Sequence, residues 1–345
     1  MRPLLLPFSY VFGAGVVLRN WFFDTGVLRS LPVAVPVISV GNIESGGVGK
    51  TPFVELLVKK LMHKGRKVAV VSRGYKRSSS GTVVVSNGSV QCAEASESGD
   101  EPAQMASKLT GAVVIVDEQR VRGARYAIAT FGVSTIILDD GFQHRYLRRD
   151  ADIVILSVED IQEPGWMLPA GNRREPLSSL RRASMIAISR CESIEQYERA
   201  HAVVQGWTDK PIIGLRTKVS AFRRASSRFS VDLAGLKGKS ALAFSGIGNP
   251  HSFEKTLRSV GLEVKKHVIF SDHHSYSDNE LMELENGVRE HNVDFLVTTE
   301  KDVARFNSGD TGRMSFLERM PLFYAEIEQT VMRGESALNE MIDRF

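Results

Sequence analysis

One stretch near the start of the chain constrains the fold more than any other. The apolar run VISV at 37–40 is typical of a strand buried on both faces, and the glycine-rich turn NIESGGVGKT follows it after Gly41. A helix-compatible run, PFVELLVKKLMHKG, comes next. This order brings backbone N–H groups and a helix N-terminus together at the carboxyl end of a strand. The sequence therefore predicts a phosphate-binding loop.

The residues of this turn have predicted roles in holding a nucleotide. Lys50 is expected to reach the terminal phosphates, and Thr51 is expected to ligate Mg²⁺. The general pattern G-x-x-x-x-G-K-[ST] fails at its first position, which is Glu44, although the GG-x-GKT core is present. A glycine-rich turn with an incidental lysine is the alternative. The predicted nucleotide-binding residues are Glu44, Ser45, Gly46, Gly47, Val48, Gly49, Lys50 and Thr51.

Further apolar runs alternate with helix-compatible stretches and predict the rest of the sheet. They lie at 67–72, 112–116, 135–138, 152–157 and 184–189. A spacing of one helix between strands favours right-handed β-α-β crossovers. The predicted fold class is α/β, with a doubly wound, mostly parallel sheet of P-loop NTPase type, a second, smaller α/β lobe and an N-terminal apolar helix. The predicted parts are an N-terminal helix at 1–30, a core domain at 31–214, a linker at 215–235 and the C-terminal lobe at 236–345.

Composition narrows the class of protein. With 43% hydrophobic and 24% charged residues, the chain is neither disordered nor a polytopic membrane protein. Its net charge of +4 is too small to indicate a nucleic-acid partner. The two cysteines, Cys92 and Cys191, show no metal-ligand spacing.

The N-terminus departs from the globular pattern. No charged residue lies between Pro3 and Leu18. This stretch is shorter than the roughly 20 residues that span a bilayer, and Pro7 would interrupt its first turn. Two interpretations remain, namely a helix that lies in the membrane interface and a helix buried on its own domain or in a dimer.

Two acidic pairs are candidates for metal binding and proton transfer. Asp139 and Asp140 follow the run at 135–138, where doubly wound sheets bind ligands, although a solvated Asp-Gly turn is the alternative. His144, close behind them, has either a catalytic or a structural part. The second pair, Asp100 and Glu101, lies in SGDEP and has the alternative of capping a helix.

The later part of the chain adds histidines. SDHHSY places Asp272, His273 and His274 together, but no further ligand motif supports a zinc site. A carboxylate–histidine pair for proton transfer fits better, because phosphoryl transfer to an alcohol needs a base. Arginine-rich clusters lie at 73–77, 120–125, 145–149 and 173–182. Beside an apolar N-terminus, they indicate an anionic amphiphile as partner.

Eight motifs follow one another between about residues 37 and 302. They read VGNIESGGVGKTP, SRGYKR, GDEP, LDDGFQHRYLRRD, PAGNRREP, SGIGNP, DHHSY and TTEKD. In this order they resemble the tetraacyldisaccharide 4′-kinases of lipid A biosynthesis. The resemblance implies transfer of the ATP γ-phosphate to the 4′-hydroxyl of a tetraacylated glucosamine disaccharide 1-phosphate, which forms lipid IVA. It also implies a core domain and a smaller lobe joined by a short β-ribbon.

The resemblance further implies cofactors, partners and location. ATP and Mg²⁺ are the expected cofactors, and the acylated disaccharide lipid and a membrane surface are the expected partners. The expected location is the cytoplasmic face of the bacterial inner membrane. No nucleic-acid partner is expected, and the chain is expected to be a monomer.

Individual roles follow from the same resemblance. The expected catalytic residues are Lys50, Asp100, Asp140 and His273, with Asp100 as the base that His273 orients or tunes. The residues expected near the metal are Thr51, Asp139 and Glu101. Those expected on the acceptor side are Tyr75, Arg120, His144, Asn172 and Arg174. The family often has an apolar residue where this chain has Arg173. TTEKD is expected either to contact the nucleotide base or to cap a helix through Asp302.

Two functions of other classes are alternatives. One is a P-loop ATPase or GTPase that acts as a membrane-associated switch, with hydrolysis as its output. The other is a nonenzymatic membrane-binding protein whose loop merely binds an anion.

Overall fold

A computed structural model describes residues 2–162, 165–227, 229–231, 233–272, 274–304 and 316–345. The chain divides into two compact units. The first unit consists of Met1–Arg216 and Gln329–Phe345, and the second consists of Thr217–Glu328.

The first unit is built on a parallel sheet. Its strands are β1 (Val37–Gly41), β2 (Val68–Ser72), β3 (Val83–Asn87), β4 (Val113–Val116), β5 (Thr135–Asp139), β6 (Ala151–Ser157), β7 (Met185–Ser189) and the first part of β8 (Ile212–Arg224). Its helices, apart from the last, are α1 (Leu6–Asp24), α2 (Lys50–His63), α3 (Ala95–Ser98), α4 (Asp100–Lys108), α5 (Arg120–Phe131), α6 (Val158–Gln162) and α7 (Ile194–Gln205).

The strand order in this unit is β8-β7-β6-β1-β5-β2-β4-β3. Every described pairing is parallel except that of β3 with β4, which confirms the predicted doubly wound, mostly parallel sheet. The strands predicted from apolar runs are buried along their length, because helices cover both faces. The carboxyl ends of β1, β5 and β2 are neighbours and form the edge at which such sheets bind ligands.

The second unit contains the remaining strands of the sheet. Its strands are the rest of β8, β9 (Ser230–Val231), β10 (Ser240–Ser245), β11 (Glu263–Ile269), β12 (Phe295–Thr299) and most of β13 (Leu322–Arg333). Its helices are α8 (Leu233–Leu236), α9 (Pro250–Ser259), α10 (Asp278–Glu290) and α11 (Glu300–Ala304). The order β11-β10-β12-β13 is parallel throughout, and an apolar cluster packs on each face of the sheet.

Two long strands were not predicted from apolar runs, although the resemblance implies a short β-ribbon between the two parts. β8 runs into the segment predicted as the linker 215–235, and β13 was not predicted at all. Both strands combine buried and exposed positions, so they lack the continuous apolar run by which the other strands were recognised. In β8, for example, Val219 and Phe222 are buried among polar neighbours. The edge strand β3 was also not predicted, although it contains the short apolar run VVV at 83–85.

The C-terminal residues also differ from the expected lobe at 236–345. After β13, helix α12 (Glu335–Asp343) belongs to the first unit. Leu338 and Ile342 of α12 pack in the same apolar core as Leu57 and Leu61 of α2. This burial of apolar side chains explains why the last seventeen residues fold with the unit that carries the phosphate loop.

Helix α1 has an unusual distribution of side chains. Ser9, Asn20 and Phe23 are buried against the first unit. Many of its apolar side chains are exposed instead, among them Phe8, Tyr10, Val11, Val17, Leu18 and Trp21. No helix within the described ranges is long and apolar enough to cross a membrane.

We expect Leu338→Ala to destabilise the first unit by about 2 to 5 kcal/mol, because it removes a fully buried side chain and leaves a cavity. Urea unfolding followed by circular dichroism measures the change. Glu340→Ala, at an exposed position of the same helix, is the matched control and should stay within about 0.5 kcal/mol of the wild type. Equal stabilities for the two variants would contradict the packing of α12 in this core.

Candidate active site

The predicted phosphate loop joins β1 to α2. Gly49, immediately before α2, has a φ of +88°, a conformation that glycine adopts without strain. Gly46 and Gly47 are exposed, and a Cβ atom at either position would meet nothing within 4 Å. An open, glycine-lined loop ahead of a helix N-terminus is suited to hold an anion.

Three side chains hold carbonyl oxygens of the loop. Ser189 Oγ donates to the carbonyl of Val48 at 2.7 Å, Gln329 Nε2 donates to that of Gly49 at 3.1 Å, and the Arg190 guanidinium donates to that of Gly47. The sequence analysis missed all three residues. The position of Ser189 and Arg190 at the end of a buried strand was a usable signal. Gln329 gave none, because it lies 280 residues from Gly49 along the chain.

Glu44 and Arg173 are the two residues that depart from the expected motifs, and they contact each other. Arg173 Nε donates to Glu44 Oε1 at 3.3 Å, and both side chains are largely buried. Burial and the neighbouring Asp160 raise the pKa of Glu44 to about 7, although Arg173 opposes this shift. Glu44 is therefore turned toward the protein, with Arg173 as its partner.

The segment that contains Arg173 runs beside the start of the loop. The backbone N–H and the hydroxyl of Ser45 both donate to the carbonyl of Asn172, each at 2.7 Å. The N–H of Arg174 donates to the carbonyl of Ile43, also at 2.7 Å. These bonds hold the PAGNRREP motif beside the predicted phosphate loop, and the acceptor role of Asn172 and Arg174 stays a prediction.

Asp140 lies between two cations. Lys50 Nζ is 3.3 Å from Asp140 Oδ1, and the Arg174 guanidinium donates to Asp140 Oδ2 at 3.0 Å. Burial would raise the pKa of Asp140, but the charges of Lys50 and Arg174 outweigh it and hold the pKa below its ordinary value. The backbone of Asp140 has a φ of +51°, which is uncommon for a residue other than glycine and is often seen at functional sites.

Asp139 has a different environment from its neighbour. Its Oδ2 accepts a hydrogen bond from Ser72 at 3.0 Å, while its Oδ1 is buried and has no hydrogen-bond partner among the residues described. Burial, together with the charges of Glu101 and Asp140, raises the pKa of Asp139 to about 7. A buried carboxylate oxygen without a partner, beside other acids, has the chemistry of a cation ligand.

Asp100 and Glu101 begin helix α4. Glycines allow the loop that carries Tyr75 to approach this helix start, since a Cβ at Gly99 would lie 2.9 Å from the carbonyl of Tyr75. Glu101 is close enough to act electrostatically on Asp139. The Tyr75 side chain is 63% exposed. Two motifs that are separate in the sequence are thus packed together at the site.

Arg120 is buried at the start of α5. Burial lowers the pKa of its guanidinium, although the charges of Asp139 and Asp140 oppose the shift. Arg120 Nε has no hydrogen-bond partner within the described part of the chain. The predicted acceptor-side arginine therefore lies within electrostatic range of both carboxylates.

His144 is neutral near pH 7. Burial lowers the pKa of its imidazole to about 4, and the positive charges of Arg120 and Arg149 act in the same direction. Its Nε2 is buried and makes no hydrogen bond to any residue for which the structure gives a position.

In the second unit, Asp302 connects three of the remaining motifs. Its carboxylate accepts hydrogen bonds from the Tyr276 hydroxyl at 2.9 Å, the Gly246 N–H at 3.1 Å and the Thr299 hydroxyl at 2.6 Å. Asp302 is fully buried. Asp302 thus ties TTEKD to SGIGNP and DHHSY, and the two interpretations of TTEKD, contact with the nucleotide base and helix capping through Asp302, stay predictions.

His273 lies outside the residues that the structure describes. Its neighbour His274 packs against Phe270, with ring centroids 4.8 Å apart, and its Nε2 lies 3.0 Å from Glu280 Oε1. The pairing of Asp100 with His273 stays a prediction.

Comparisons with known proteins agree over the whole chain. A family model described as tetraacyldisaccharide-1-P 4'-kinase, LpxK, matches residues 1–345. A tetraacyldisaccharide 4'-kinase of Pelodictyon phaeoclathratiforme is 36% identical, over 99% of this chain and 96% of its own length. One from Anaeromyxobacter dehalogenans is 34% identical, over 99% and 89%.

A solved structure gives the same result. The crystal structure of LpxK from Aquifex aeolicus, described as an "apo" form in complex with ATP, is 34% identical to this chain with a TM-score of 0.79. The match covers 99% of this chain and 98% of that one. Since the family model and these relatives all match essentially the full length, the chain belongs to the tetraacyldisaccharide-1-P 4'-kinase family, LpxK.

Proposed function

We propose that this protein transfers the γ-phosphate of ATP to the 4′-hydroxyl of a tetraacylated glucosamine disaccharide 1-phosphate and so forms lipid IVA. The observation that carries the proposal is the glycine loop before Lys50, open on one side, with Lys50 paired to the partly exposed carboxylate of Asp140 and the buried carboxylate of Asp139 next to it in the chain. Membership of the kinase family over the full chain supports the same acceptor.

Residues at the end of β5 and the start of α2 fit Mg²⁺. Asp139 offers an unpartnered carboxylate oxygen, and Thr51 follows Lys50 as in other phosphate loops. No cluster of three or more acidic, histidine or cysteine side chains suited to a metal lies in the described ranges. Mg²⁺ needs none, because it takes phosphate oxygens and water as further ligands. When bound, Mg²⁺ neutralises charge on the transferring phosphoryl group.

We propose that Thr51, Asp139 and Glu101 bind this metal and that Asp140 has a different role. The lowered pKa of Asp140 keeps it ionised, so it orients Lys50 and Arg174 through the two ion pairs described above. Both cations are then available to stabilise negative charge on the phosphates during transfer.

Asp100 is the proposed base for the acceptor hydroxyl. It lies at the start of α4, next to Glu101, and thus near the carboxylates that would hold the metal. His273, which would tune it, is assigned only by the family resemblance.

On the acceptor side, we propose Tyr75, Arg120, His144, Asn172 and Arg174. Tyr75 is exposed near the start of α4, and Arg120 and His144 each keep a buried nitrogen that is unbonded within the described chain. A phosphorylated sugar supplies phosphate and hydroxyl oxygens as hydrogen-bond partners for such nitrogens.

Helix α1 supports a membrane location. Its apolar side chains are exposed on the side away from the first unit, which favours the interpretation as an interfacial helix over that of a buried one. The proposed acceptor carries four acyl chains, and removing them from a bilayer costs about 0.8 kcal/mol per CH₂ group. We therefore place the enzyme at the cytoplasmic face of the inner membrane, where ATP is present.

We expect Lys50→Ala to lower transfer of labelled γ-phosphate from ATP to the purified lipid acceptor by roughly 10²-fold or more, since it removes a cation that stabilises the phosphoryl group. Lys59→Ala, an exposed lysine on the same helix, is the matched control and should transfer at the wild-type rate. Wild-type turnover by Lys50→Ala would refute the assignment of the ATP site.

The His144 ring is expected to stay unprotonated in the folded protein down to about pH 5. Its folded-state pKa of about 4 lies below the ordinary 6.5, so the unfolded chain binds the proton first and stability falls as pH drops through this interval. The His144 ring signals in an NMR titration, assigned by their loss in His144→Gln, measure the pKa. A midpoint near 6.5 would contradict burial of the ring among arginines.

A charge on the exposed face of α1 should weaken membrane binding. Val11 is 73% exposed, and Val11→Asp would place a carboxylate in the apolar layer. We expect severalfold less protein to float with phosphatidylethanolamine–phosphatidylglycerol vesicles and an unchanged melting temperature. Val203→Asp, at an exposed valine on α7, is the control and should float like the wild type. Equal flotation of both variants would show that α1 is not the anchor.

A further inference from the structure

The inner side of α1 carries polar groups that an interfacial helix does not require. Asn20 is 8% exposed, and its Nδ2 donates to Glu175 Oε2 at 2.9 Å. Arg19, the preceding residue, donates to the backbone carbonyl of Gln143 at 2.6 Å. A helix that served only as an anchor would be held well enough by apolar contacts, so these buried bonds suggest a further part for α1.

From Glu175 the hydrogen bonds continue to the phosphate loop. Gln143 Nε2 donates to Glu175 Oε1 at 3.2 Å and to the backbone carbonyl of Asn42 at 2.8 Å. The side chain of Asn42 in turn accepts a hydrogen bond from Lys50 Nζ at 3.3 Å. An unbroken series of hydrogen bonds therefore leads from Asn20 on α1 to the lysine of the loop.

Glu175 gives this series a fixed centre. It is almost fully buried, and Arg182 donates to both of its oxygens, at 2.8 and 3.2 Å. Burial would raise the pKa of Glu175, but the hydrogen bonds from Arg182 and Asn20 outweigh it and keep the carboxylate ionised. Each oxygen thus binds Arg182 and one amide, from Asn20 or Gln143. Loss of the Asn20 amide would leave a buried charge short of a donor and loosen Gln143.

We propose that Asn20 is a positioning residue that couples the seating of α1 to the nucleotide site. With α1 seated, Glu175, Gln143 and Asn42 hold Lys50 in place for the phosphates of ATP. When α1 lifts from the unit, this support is lost and ATP binds more weakly. This coupling rests on the proposed function, because it takes ATP as the nucleotide that the loop binds. The helix then has two faces with different tasks, an apolar one for the membrane and a polar one for the catalytic lysine.

Asn20→Leu tests the proposal, because it removes the amide while keeping the side chain near its original size. We expect the Kd of the full-length protein for ATP with Mg²⁺, measured by calorimetry, to rise about fivefold or more. Vesicle flotation should change little, and the melting temperature should fall by only a few degrees, because Glu175 keeps both of its bonds to Arg182. Ser9→Ala is the matched control, since Ser9 is equally buried on α1 but bonds the N–H of Ala170 at 2.9 Å, outside the series. Its Kd should stay within about twofold of the wild type.

A double-mutant cycle with Gln143→Leu separates coupling from general weakening. Residues in one hydrogen-bond network are non-additive, so the double variant should bind ATP no more than about twofold worse than the weaker single variant. Gln143→Leu interrupts the same series and carries the same expectation if Asn20→Leu does not fold.

Three results would overturn the coupling, namely a wild-type Kd for Asn20→Leu, an equal loss in Ser9→Ala, or losses that multiply in the double variant. A wild-type protein that does not bind ATP at all would instead overturn the proposed function, and the coupling with it.

Discussion

Two adjacent carboxylates at the end of a buried strand are the constraint on which the rest of the site depends. Asp139 and Asp140 cannot both stay charged in such a place without nearby cations. Lys50 and Arg174 supply them for Asp140, and each comes from a different segment of the chain. Asp139 lacks a comparable partner, so its pKa rises and one of its oxygens stays unbonded within the described residues. This asymmetry divides the pair into an ionised group that orients cations and a group suited to a metal.

Much of this arrangement could be predicted from the sequence because it depends on local patterns. Continuous apolar runs identified the buried strands, and topology then placed Lys50 and Asp139 at one edge of the sheet. The long strands β8 and β13 were not recognised as strands because buried and exposed positions are mixed along them. Gln329 could not be predicted for a different reason. Its hydrogen bond to Gly49 joins residues that are 280 positions apart, and no local sequence pattern indicates such a contact.

The two positions that depart from the expected motifs, Glu44 and Arg173, could not be related to each other from the sequence alone. Glu44, in place of a glycine, and Arg173, in place of an apolar residue, looked like separate departures from a pattern. In the folded protein Arg173 donates to Glu44, so each residue explains the presence of the other. The same contact leaves Arg174 as the arginine beside Asp140. Because Arg173 pairs with Glu44, Arg174 is the arginine that contacts phosphate on the proposed assignment.

Phosphate transfer to a lipid alcohol, and not nucleotide hydrolysis, is the proposed output of this site. A membrane-associated switch would contain the same loop and the same acids, and an anion-binding module would contain the loop alone. The direct measurement is the amount of ADP formed by the purified protein with and without tetraacyl disaccharide 1-phosphate, alongside the amount of 4′-phosphorylated lipid by mass spectrometry. We expect about one phosphorylated lipid per ADP and very little ADP without the acceptor. ADP formation at the same rate without the acceptor, or no ADP in either case, would contradict the proposed function.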